Sequence, residues 1–126
     1  MEPVEVEIRI ENDHEVSFIP SNLHAKPAQD VVFFVTTREE GGERIRPGKG
    51  QAQEVVKEDG KARFTITFKD GSPFDDVKLS SSEGKIKTSV TGDPGIYHYA
   101  LAATTQVAGK TVVISVTGCP EIIIQR

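Results

Sequence analysis

The sequence predicts an all-β fold, an antiparallel β-sandwich or barrel, on three observations. Apolar residues recur with a period of two, turn-forming residues interrupt the chain at short intervals, and no stretch sustains the 3.6-residue period of an amphipathic helix. At 126 residues the chain has the length of one domain and is expected to fold as a single unit over 1–126. A chain of that size buries about two-thirds of its unfolded surface, so it needs no disulfide staples.

Each element follows from local pattern. Val4, Val6, Ile8 and Ile10 alternate with Glu5, Glu7 and Arg9, which sends the aliphatic set to one face of a strand and the charges to the other. Between Gln29 and Thr37 the run is apolar on both faces over Val31 to Val35, the pattern of a central strand. Phe64, Ile66 and Phe68 alternate with Thr65 and Thr67, and Val112, Ile114 and Val116 with Val113 and Ser115, predicting two half-buried strands. On parity, Tyr97, Tyr99 and Leu101 share an inward face while Ile96, His98 and Ala100 share the other.

Turn signals separate these runs: Asn12-Asp13, Lys26-Pro27, Asp59-Gly60, Asp70-Gly71, Glu83-Gly84, the tetrad Gly92 to Gly95, and Gly118-Cys119-Pro120. They imply about eight or nine short strands. Ser72-Pro73-Phe74-Asp75-Asp76 combines an N-cap serine, an early proline and carboxylates at the positive dipole end, so it is expected to form at most one helical turn. Pro120 to Arg126 is expected to be the last strand, with Glu121 and Arg126 guarding it against edge pairing; alternatively Ile123 faces outward and joins two copies.

Charge and cysteine usage exclude several classes of function. Fifteen Lys and Arg against nineteen Asp and Glu leave a net charge of −4, without the basic footprint that nucleic acid or an anionic membrane selects. Cys119 is the only cysteine, so no intrachain disulfide can form. The opening MEPVEVEIRI has neither a basic n-region nor an apolar h-region, and no run approaches a membrane span. A cytoplasmic location is therefore expected, with an excised domain of a larger or secreted protein as the alternative, and no membrane partner is expected.

No catalytic constellation is legible. Ala108-Gly109-Lys110-Thr111 ends like a phosphate-binding loop, but the first glycine that loop needs is Thr104, and a strand pattern follows instead of a helix. The motifs G-x-S-x-G, H-E-x-x-H and C-x-x-C do not occur. His14, His24 and His98 lack local metal-ligand spacing, so neither metal nor cofactor is expected. The one candidate site is the charged glycine-rich stretch from Arg38 to Gln51. There Arg38, Arg44, Arg46 and Lys49 suit a carboxylate or phosphate, although Glu39, Glu40 and Glu43 partly neutralise them.

Two stretches resemble a known family. VSFIPSNLHAKPAQDVVFFV (residues 16–35) is similar to the opening of a cupredoxin, and GDPGIYHYAL with AGKTVVISV (residues 92–101 and 108–116) resembles the cupredoxin P-G-x-Y-x-Y strand and the closing strand after it. The Asp-x-Gly-x-Tyr pattern also resembles the tyrosine corner of immunoglobulin-like sandwiches, and both resemblances imply a single-domain antiparallel Greek-key β-sandwich. The cupredoxin resemblance implies a blue-copper site, but the ligands do not carry over. Leu101 stands where the thiolate belongs, no histidine follows His98, Cys119 lies beyond the last loop, and Met1 is the only methionine. The expectation is a metal-free binding module for a protein or carbohydrate surface, monomeric or weakly dimeric. The alternative is an enzyme accessory or small hydrolase-type domain whose site only the fold assembles.

Overall fold

Wherever the sequence alternates, the chain forms strands, and no helix occurs among the described residues. The computed structural model describes residues 2–11, 15–39, 55–107, 109–117 and 120–125, and for 38, 39 and 55–57 the backbone alone. In chain order the strands are β1 (Val4–Glu11), β2 (Glu15–Ile19), β3 (Asn22–Ala25), β4 (Asp30–Glu39), β5 (Val55–Glu58), β6 (Arg63–Thr67), β7 (Lys78–Ser81), β8 (Lys85–Ser89), β9 (Gly95–His98), β10 (Ala100–Val107), β11 (Lys110–Val116) and β12 (Glu121–Ile124). Among the described residues there are twelve strands against the expected eight or nine, because pieces of only four residues, such as β3, β7, β9 and β12, still find partners.

These strands build three sheets. The first runs β2-β1-β4, with β5 and β8 sharing the far edge of β4; the second runs β11-β10-β6-β7; the third runs β3-β12-β9. Pairing is mixed rather than purely antiparallel, since β1 is parallel to β4 and β3 is parallel to β12. Parallel neighbours need a long connection, and residues 12–29, which contain β2 and β3, supply it between β1 and β4. The last strand is no edge: β12 lies between β3 and β9, so Glu121 guards nothing there, and Arg126 lies outside the described residues.

β4 is the central strand its two apolar faces predict. One side pairs with β1; the other pairs first with β8, over Asp30 to Phe34, and then with β5, over Thr36 to Glu39. Val35 falls in the gap between those two partners. Its N–H donates to the Gly84 carbonyl at 3.0 Å and its carbonyl accepts from Asp59 N–H at 2.8 Å, while Gly84 N–H donates to Ala62 at 3.0 Å. Gly84 has φ +75°, and a Cβ there would run into the carbonyl group of Asp59, so backbone conformation and space both require glycine.

The two larger sheets and the third share one core, the arrangement of a β-sandwich. Val6, Ile8 and Ile10 from β1 and Val31, Phe33 and Val35 from β4 meet Phe64 and Ile66 from β6, Leu101 from β10 and Ile114 from β11. Tyr99 sits among the aromatic rings, with centroids 5.8 Å from Phe18, 5.7 Å from Phe33 and 5.4 Å from Phe68. Such edge and tilted contacts contribute about 0.5–1.5 kcal/mol each beyond simple burial. The Tyr99 hydroxyl is buried without a hydrogen-bond partner among the described atoms, and burial pushes its pKa up.

Residues 72–76 form a bend and no helical turn. Ser72 Oγ accepts the Phe74 N–H at 3.0 Å, as a cap would, but the Pro73 carbonyl accepts Thr91 N–H at 2.8 Å and Gly92 N–H at 3.0 Å, so tertiary partners take the bond a helix would have used. Phe74 turns inward instead, its ring 5.7 Å from Phe68 and 6.1 Å from Phe33.

Candidate functional site

Most of the charged stretch singled out as a binding loop lies outside the described residues, including Arg44, Arg46 and Lys49. Arg38 belongs to β4, where its backbone pairs with Glu11 of β1 and Val56 of β5; its side chain is not among those described. His14 and Cys119 also lie outside the described residues.

A groove of about 910 Å³ opens where β5 turns into β6, lined in part by Glu58, Asp59, Lys61, Arg63, Thr105 and Gln106. Two adjacent carboxylates in a groove invite an acid–base reading, but Asp59 is already committed. Its Oδ1 accepts the Lys61 N–H at 3.0 Å, and its Oδ2 accepts the hydroxyl of buried Thr105. The Asp59 side chain ties the turn to β10, and its backbone ties the turn to β4. It therefore acts as an anchor of the fold, and Glu58 beside it is exposed.

A second polar cluster sits on the face of the first sheet away from the core. Glu7 accepts the Arg9 guanidinium at 2.9 Å and the hydroxyl of buried Thr36 at 2.7 Å. Burial pushes the Glu7 pKa up, but hydrogen bonds from Arg9 and Thr36 and the charge of Arg9 outweigh it and hold the carboxyl below its usual range. All three residues satisfy one another, which describes a structural network.

The outer face of β3-β12-β9 is different, because it sets isoleucines beside polar side chains. Parity and register place them in two rows, one of Asn22, Glu121 and His98, the other of His24, Ile123 and Ile96. Ile96 is 60% exposed and stands across from half-buried Ile123. His98 Nδ1 lies 3.7 Å from Glu121 Oε1, within ion-pair reach once the imidazole is protonated. Sequence parity assigns Ile96 and His98 to one outward face. It cannot show that Ile123, Glu121 and His24 join them, because that depends on β12 entering between β3 and β9. Behind the face, Tyr97 turns inward and its hydroxyl donates to the Asp93 carbonyl at 2.6 Å.

These residues do not fit a copper centre. Leu101, at the position the thiolate would need, is 2% exposed in the core, whereas His24 and His98 point away from the core on another sheet. Among the described residues no three His, Cys, Asp or Glu side chains gather in a way that would hold a metal, and no helix is long and apolar enough to cross a membrane. No protein-family model matches the chain, and no curated protein matches it in sequence.

Proposed function

We propose that the chain is a non-catalytic, metal-free interaction module on a cupredoxin-like Greek-key sandwich, and that it binds a protein partner through the outer face of β3-β12-β9. The observation that carries this reading is the juxtaposition of exposed Ile96 with Ile123, bordered by His24, Glu121 and His98. An apolar centre inside a polar rim is the anatomy of a protein-recognition patch. Carbohydrate fits less well, because the large hydrophobic side chains exposed among the described residues are Ile19, Val77, Ile96 and Val113, none of them a ring on which a sugar could stack. The Tyr97 to Asp93 bond favours an immunoglobulin-like sandwich as the second reading of ancestry, and the same face serves either.

The test is affinity capture with wild-type and Ile96→Lys baits, followed by reconstitution with the purified partner. The substitution is expected to weaken binding about tenfold or more, as loss of a central apolar contact does, while the chain stays folded. A partner that binds Ile96→Lys as tightly as wild type overturns the assignment of this face. Elemental analysis of protein purified without a histidine tag is expected to find no stoichiometric metal, and stoichiometric copper or zinc overturns the metal-free reading.

A further inference from the structure

β11 hydrogen-bonds to β10 along its whole length, and among the described residues no strand pairs with its other side. An unpaired strand edge is a row of free donors and acceptors, and soluble proteins keep such edges short or charged. The other edges here follow that rule. β2 has five residues, opens on Glu15 and runs into Pro20; β5 has four and carries Lys57 and Glu58; β7 has four and opens on Lys78; β8 has five, with Lys85 and Lys87 outward; β3 and β9 have four each. β11 departs from it, with seven residues and no charge from Thr111 to Val116. Its midpoint, Val113, is 73% exposed.

We propose that β11 is a self-pairing edge: two copies of this chain join antiparallel along it, centred on Val113, and fuse two four-stranded sheets into one of eight. The run Thr111-Val112-Val113-Ile114-Ser115 is chemically palindromic about its centre. A two-fold axis there sets Val113 against Val113 of the other copy, Val112 against Ile114, and Thr111 against Ser115. Pairs of β-branched residues and pairs of hydroxyls are favourable cross-strand partners. The sheet already uses the hydroxyl pairing internally, with Thr65 Oγ1 and Ser80 Oγ 3.0 Å apart. Antiparallel pairing puts the two Lys110 ammonium groups at opposite ends of the joint, whereas parallel in-register pairing would set them side by side. The outward residues nearest the joint, Ala102, Thr104, Gln106 and Ser115, carry no charge. Because the contact is two-fold and the remaining edges are short or guarded, assembly closes at two copies.

The β11 edge lies on a different sheet from the Ile96 face, so either proposal can fail without the other. Sedimentation velocity over micromolar to millimolar protein is expected to show a monomer–dimer equilibrium. Val113→Lys, which sets two ammonium groups directly opposite, is expected to weaken dimerisation at least about tenfold, while Ile96→Lys leaves it unchanged. Register is tested in a Cys119→Ser background. Val113→Cys is expected to give a covalent dimer when diamide oxidises the two facing thiols to a disulfide and takes up their protons and electrons, whereas Thr111→Cys alone gives none. A chain that stays monomeric across the range, a dimer that survives Val113→Lys or is dissolved by Ile96→Lys, or a Val113→Cys protein that does not cross-link would each overturn the proposal.

Discussion

β4 and β11 draw on the same residue types, DVVFFVTTRE in one and KTVVISV in the other, and meet opposite surroundings. β4 has strands along both edges and covered side chains on both faces: Val31, Phe33 and Val35 are buried on one, Val32 and Thr36 on the other. Among the described residues β11 has one paired edge and one covered face, with Val112 and Ile114 in the core and Val113 exposed. β-propensity is the same in both, so what separates them is how many sides the rest of the chain closes. A strand closed on every side tolerates no change, whereas one left open on two sides keeps residues free for another molecule.

Four substitutions break or sharpen that contrast. The largest effect is expected from Gly84→Ala, which strains the backbone at φ +75° and drives a methyl group into the carbonyl of Asp59 at the point where β4 changes partners. A loss of about 4 kcal/mol or more, or failure to fold, is expected in urea titrations, which places it among the exceptional single substitutions. Next is Glu7→Gln, which weakens the charge-assisted bonds to Arg9 and to Thr36 of β4 and should cost about 1 kcal/mol at neutral pH. The Glu7 carboxyl has its pKa lowered in the folded chain from an ordinary value of 4.5. The stability it contributes is therefore complete above that value and is lost as pH falls through the lower, folded one. The gap between wild type and Glu7→Gln should narrow over that acid range, and a gap independent of pH would show that the carboxylate is not the source.

Tyr99→Phe tests the ring that packs on Phe33 of β4. It removes a buried hydroxyl that has no partner and keeps the aromatic contacts, so stability is expected to rise by about 1 kcal/mol, read as a higher urea midpoint with an unchanged slope. The smallest effect belongs to the open strand. Val113→Thr keeps β-branching at an exposed site and should change the stability of the single chain by less than about 0.5 kcal/mol. A larger loss would mean that β11 is covered after all.

What the sequence made legible was phase. Val6, Ile8 and Ile10, Phe64 and Ile66, and Val112 and Ile114 all point inward as their alternation requires, and the doubly apolar run at Val31 to Val35 lies mid-sheet. Pairing was less legible, because hydrogen-bond partners leave no mark on a period of two. Tyr97, Tyr99 and Leu101 keep one parity although β9 pairs with β12 and β10 pairs with β6 and β11. The parallel pairs and the central position of β12 were hidden for the same reason. The candidate face was half visible: Ile96 and His98 follow from parity, whereas Glu121, Ile123 and His24 come beside them only through register. Gly84 and Asp59 read as ordinary turn residues, and only the approach of β4 turns them into a junction.

Tyr99 carries one more consequence. It is the residue at which the backbone leaves the three-stranded sheet for the four-stranded one; its N–H donates to the Pro120 carbonyl at 3.1 Å, and its ring touches Phe18, Phe33 and Phe68. The small sheet is thus sewn to the large ones by a side chain that cannot leave the core unless the core opens. β3, β12 and β9 are therefore expected to unfold together with the two larger sheets, read as one transition in urea titrations followed by more than one probe. A recognition surface built on them would be as rigid as the interior beneath it.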